Sequence, residues 1–114
     1  MLALSMTVPP SVNRCWAYAP GRGRIKTAAY REWLTIAGYE IKPKIAGRAP
    51  IETPYILRIE LSAPRYDIDN VVKPISDLLQ TMGVVSDDKL MAELHVSRAD
   101  RERGVYVWVS EKTS

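Results

Sequence analysis

The sequence predicts an α+β fold of two layers, a mixed β-sheet of about four strands with helices packed on one side. Two observations carry that prediction. Four short segments alternate apolar and polar residues with a period of two, and two longer ones repeat apolar residues every three or four positions. A third observation bounds it: 114 residues, 46% hydrophobic and 25% charged, suffice for one core of ordinary composition and are too few for two, so residues 1–114 read as a single domain.

The first segment, LALSMTV, reads as a strand ended by Pro9-Pro10, which cannot donate to a ladder. Residues 11–26 read as a long loop, broken by Pro20, Gly21 and Gly23, and loops of that length are usually functional. Thr27 is placed to cap the helix AAYREWLTIAGYEIKPKI, whose Tyr30, Trp33, Leu34, Ala37 and Ile41 share a core-facing stripe and which Pro43 should stop or kink. YILRIELS alternates as a strand and delivers the chain into APRYDIDN. Asn70 then stands as a cap before the stripe Val71, Val72, Ile75, Leu78, Leu79 and Met82; Pro74 fits only a first turn, and Gly83 ends the helix. VVSDDKL reads as a turn or short helical start. MAELHVSRA and GVYVWVS read as strands joined by a polar hairpin loop at residues 100–104.

Composition removes several classes of function. No apolar run approaches 18 residues, and the N-terminus lacks a basic region with a long apolar stretch, so a cytoplasmic protein without a membrane partner is expected. A single cysteine, Cys15, leaves no intramolecular disulfide and no thiolate zinc site. The one histidine, His95, lies in a strand pattern and reads as structural. No small-molecule cofactor is expected. Charge is unevenly spread: residues 13–48 hold eight basic side chains against Glu32 and Glu40, while residues 49–114 hold eight against eleven acidic ones. Within the basic part, Arg14, Arg22, Arg24 and Lys26 are interleaved with Trp16 and Tyr18, a mixture suited to phosphates and exposed bases.

The segment RYDIDNVVKPISDLLQ sets Asp67 and Asp69 two positions apart, then Lys73. In extended backbone both carboxylates would point to one side, where a hard cation such as Mg²⁺ or Mn²⁺ would offset their repulsion. A solvated Asp-rich turn leading into a helix cap is the other reading. A second acidic pair, Asp87-Asp88, follows; spacing alone does not bring Asp88 to the first pair, and Ser86 to Asp88 would equally cap a helical turn.

DIDNVVK followed by GVVSDD, with PPSVNRCW and GRGR before them and ELHVSR after, resembles the RusA family of Holliday junction resolvases, endonucleases of bacteria and prophages. The pieces stand in the family's order over nearly the whole chain. Pro74 after the lysine and Tyr66 before the motif depart from its usual pattern. The resemblance implies a catalytic, metal-binding cluster of Asp67, Asp69 and Asp88 with Lys73 also required, Mg²⁺ or Mn²⁺ as cofactor, and a homodimer acting on branched DNA. The expected DNA contacts are Asn13, Arg14, Arg22, Arg24, Lys26 and Lys73. A dimer would bury apolar residues between subunits, with Val105, Val107 and Val109, or Tyr30 and Trp33, as the candidates. A less selective metal nuclease and a non-catalytic DNA-binding module are the rival functions.

Overall fold

The computed structural model describes residues 1–113. Strand β1 (Leu2–Met6) leads to a single helical turn, α1 (Val12–Cys15), and a two-stranded hairpin, β2 (Trp16–Ala19) with β3 (Gly23–Lys26). Helix α2 (Ala28–Ile45) is followed by β4 (Tyr55–Ser62), a 3-10 turn (Ile68–Val71), helix α3 (Val72–Thr81), a second 3-10 turn (Asp88–Leu90), and strands β5 (Met91–Arg98) and β6 (Gly104–Glu111). The main sheet has the order β1-β6-β4-β5; β6 runs antiparallel to both its neighbours, and β5 parallel to β4. The predicted mixed sheet of an α+β fold is therefore present, with a second, two-stranded sheet beside it.

Period-two burial makes the main sheet one-sided. Leu2, Leu4 and Met6 of β1, Leu57, Ile59 and Leu61 of β4, and Val105, Val107 and Val109 of β6 are buried in one core with Tyr30, Trp33, Ile41, Ile75, Leu78 and Leu79 of the helices. Such a core supplies most of the drive to fold, at about 25 cal/mol per Å² of apolar surface removed from water. Helices α2 and α3 come close where Gly38 faces Met82: a Cβ at Gly38 would stand 3.0 Å from the Met82 sulfur. Trp33 ties α2 to the end of β1 by donating its indole N–H to the Thr7 carbonyl at 2.9 Å.

Several expectations need correction. Residues 11–26 are not an irregular loop. The turn at residues 20–22 folds them into a hairpin in which Trp16 pairs with Lys26 and Tyr18 with Arg24, Gly21 and Gly23 both taking positive φ. The loop at residues 99–103 closes no hairpin, because β4 lies between β5 and β6. Pro43 neither stops nor shortens α2, which runs two residues past it; at the last turn its missing N–H costs a single bond. Asn70 lies inside the 3-10 turn instead of capping α3. His95 projects from an edge strand into solvent. Val105, Val107, Val109, Tyr30 and Trp33 are consumed by the subunit's own core, so they are not available to a dimer interface.

Candidate active site and nucleic-acid interface

The chain leaves β4 through a tight turn at residues 63–66, in which Arg65 takes a left-handed φ of 72°. Two groups pin this turn. Arg98, the last residue of β5, donates to the carbonyls of Ala63 at 3.3 Å and Tyr66 at 2.6 Å. The Tyr66 hydroxyl donates to the Pro10 carbonyl at 2.9 Å, and burial, with Cys15 adding to it, pushes this phenol up to about 12. Tyr66, which departs from the family pattern, is thus a structural tie. Asp67 follows in extended conformation and Asp69 sits in the 3-10 turn, both exposed. The backbone is not extended across the pair, so strand alternation does not set their direction.

Lys73 and Pro74 stand in the first turn of α3. The Lys73 ammonium pairs with Asp77 at 3.2 Å, one turn on, and the other Asp77 oxygen accepts the Tyr30 hydroxyl at 2.5 Å. Burial first, and that hydrogen bond second, hold Tyr30 far above the ordinary phenol range. Cys15 is also raised, by burial and then by the charge of Asp77. Asp77 therefore ties α2 to the first turn of α3, a role the sequence reading missed although its spacing of four from Lys73 is an ion-pair signal.

Asp88 lies elsewhere. Its backbone N–H donates to the Gln80 side chain at 2.9 Å, near the C-terminal end of α3, and Asp87 caps the turn by accepting from the Lys89 N–H at 2.9 Å. Tyr55, at the start of β4, is raised by burial and then by the charges of Asp88 and Asp87, and its buried hydroxyl has no partner among the described residues. Ten residues of α3, about 15 Å of helix, separate this end from Asp67 and Asp69. Within one chain Asp67 and Asp69 stand before α3 and Asp88 near its other end; among the described residues no three carboxylate, histidine or cysteine groups converge on one point. The carboxylates of Asp67, Asp69 and Asp88 nevertheless share a property: none takes part in a side-chain hydrogen bond or ion pair among the described residues, in contrast to Asp77 and Asp87. Unengaged hard oxygens are what a Mg²⁺ or Mn²⁺ ion requires.

The basic hairpin stands at the Asp67 and Asp69 end. Its base is tied to α1 and α2 by Thr27, which donates to the Arg14 carbonyl and accepts from Tyr30 N–H. Arg24 and Lys26 flank the Trp16 ring at 5.0 and 5.3 Å from its centroid, and Trp16 packs edge-on against Tyr30. Tyr18 is 79% exposed, and Asn13, Arg14, Arg22 and Arg24 are also exposed, so cations and a free ring share one surface. Lys73, bound to Asp77, shares this end of the molecule.

The mixed sheet is covered on one side by helices, and exposed carboxylates lie toward the same end of the molecule as a cationic, aromatic hairpin. The family of endodeoxyribonucleases described as "Endodeoxyribonuclease RusA" matches residues 7–110, a span that includes the hairpin, Lys73 and all three carboxylates. The chain belongs to this family, the class of enzymes that cut DNA within a strand. No curated protein matches it.

Proposed function

We propose that residues 1–114 form one domain, a cytoplasmic, Mg²⁺- or Mn²⁺-dependent nuclease that resolves four-way DNA junctions by paired cuts, acting as a homodimer. The family match over residues 7–110 carries this reading. Asp67, Asp69 and Asp88 would hold the metal, and when bound it supplies an activated water and neutralises charge on the phosphate and the departing oxygen. Lys73 offers a point charge to the scissile phosphate, and Asp77 holds that ammonium on the DNA side of α3 until the phosphate competes for it. The hairpin cations Arg14, Arg22, Arg24 and Lys26, with Asn13, track the backbone of the junction arms, and Tyr18 offers a stacking face.

Because Asp88 stands at the far end of α3 in its own chain, a site of all three carboxylates needs a second copy. A junction presents two equivalent strands, and a twofold pair of subunits matches that symmetry. The test is cleavage of a four-way junction beside a sequence-matched duplex, with Mg²⁺ and with chelator. Metal-dependent cutting restricted to the junction supports the proposal. Equal cutting of both substrates would reduce it to a general nuclease, and tight binding without cutting in Mg²⁺ would make the chain a binding module.

A further inference from the structure

Tyr55, the first residue of β4, is fully buried, and its hydroxyl meets no hydrogen-bond partner among the described residues. The other phenols that the core covers do donate, Tyr30 to Asp77 and Tyr66 to the Pro10 carbonyl. A buried donor left unpaired carries a desolvation cost that a phenylalanine in the same place would not. The Tyr55 hydroxyl therefore needs an acceptor.

Backbone pairing limits the choice. Tyr55 pairs with Met91, the residue that directly follows the 3-10 turn Asp88–Leu90. The segments leading into both are clamped together: the Ile51 N–H donates to the Val84 carbonyl at 2.9 Å, and the Ser86 N–H donates to the Ile51 carbonyl at 3.0 Å. Burial first, and then the charges of Asp88 and Asp87, hold this phenol above its ordinary range. Of those two carboxylates Asp87 already accepts from the Lys89 N–H, whereas that of the half-buried Asp88 is unengaged.

We infer that the Tyr55 hydroxyl donates to the carboxylate of Asp88, reached by rotation of the Asp88 side chain, and that Tyr55 is thereby a positioning residue for Asp88. Gln80 fixes the backbone of the same residue, its side-chain oxygen accepting the Asp88 N–H at 2.9 Å. One carboxylate oxygen is then held by a donor from the core, and the other stays open. A ligating carboxylate bonded in this way is aimed before an ion arrives, and loss of such a partner typically weakens metal affinity by about 10- to 100-fold.

The hydrogen bond itself stands apart from the proposed nuclease reading; only its use, holding Asp88 toward a metal ion, rests on that reading.

The bond is tested first without metal or DNA, by urea unfolding of the full chain in a double-mutant cycle. Tyr55→Phe should lower the urea midpoint of the parent chain and should lower that of an Asp88→Ala chain no further. In an Asp87→Asn background, which keeps a capping oxygen, the loss should persist in full. An unchanged or raised midpoint in Tyr55→Phe, as removal of an idle hydroxyl would give, overturns the inference. Equal losses with and without the Asp88 carboxylate, as general packing would give, overturn it too. The second arm titrates the full chain with Mn²⁺ alone and follows the paramagnetic resonance of the free ion. Tyr55→Phe should raise the half-saturating Mn²⁺ concentration about tenfold, and Asp88→Ala at least as much. Weaker binding in Asp88→Ala with unchanged binding in Tyr55→Phe denies Tyr55 the positioning role and leaves the metal reading of Asp88 intact. Coupling in urea together with Mn²⁺ binding that Asp88→Ala does not alter keeps the hydrogen bond and fails the proposed metal site.

Discussion

Lys73 is held by a single anion, Asp77, at 3.2 Å, and Asp77 spends its other oxygen on Tyr30. Asp77→Asn should leave junction affinity near normal and lower the single-turnover cleavage rate about tenfold by loosening Lys73. Lys73→Ala should cost at least about a hundredfold. Tyr30→Phe separates positioning from stability: it removes only the hydroxyl, so it should cost about 1 kcal/mol in urea unfolding and spare the cleavage rate. A rate loss in Tyr30→Phe equal to that in Asp77→Asn would assign Asp77 to general packing. Among the open carboxylates, Asp67→Asn, Asp69→Asn and Asp88→Asn should each lower cleavage at least about a hundredfold while junction binding holds or tightens, as a gel-shift titration would report. Near-normal cutting by all three removes the proposed site.

The β2–β3 hairpin is the element with the clearest assigned task. Changing Arg22 and Arg24 together to Ala should weaken junction binding and flatten the log-log salt dependence by roughly one unit per lost phosphate contact. Because Arg24 also covers Trp16, Arg22→Ala alone is the cleaner variant; an unchanged salt slope there would move the DNA path elsewhere. This hairpin was hidden in the sequence because its strands are four residues long and Trp16–Ala19 shows no buried alternation. Longer elements were legible: β4 and β6 alternate over eight residues, and the stripe of α3 sets its length between Pro74 and Gly83. Strand order was not, since Val105, Val107 and Val109 read alike whether β6 borders β5 or fills the gap between β1 and β4. The same limit applied to Asp88. Spacing fixes that it follows α3, but only the parallel course of β5 reveals that it ends up at the opposite end from Asp67.

At the scale of the whole molecule, a shared acidic site and a one-chain site differ in how inactive variants combine. Asp67→Asn and Asp88→Asn subunits, each inactive alone, should form mixed dimers with one complete site and one doubly damaged one, so the mixture should nick junctions in one strand. No recovery on mixing, in a preparation where exchange is confirmed by mass, would return the site to a single chain. Alkaline stability is also a property of the whole core. The phenols of Tyr30, Tyr55 and Tyr66 are all raised, chiefly by burial. Their contribution is fully present below about pH 10, where an unfolded tyrosine begins to ionise, and for Tyr66 it is lost as pH rises toward about 12. Urea midpoints should therefore hold to about pH 10 and then fall, with Tyr66→Phe flattening the decline. The place of β6 has a temporal consequence. The last strand in chain order lies between β1 and β4 and pairs Val109 with Leu2, so both partners are synthesised long before the strand that joins them. Ribosome-bound chains arrested before residue 104 should stay sensitive to protease, and the helices should gain protection only after β6 emerges, because distant contacts dominate the folding of this domain.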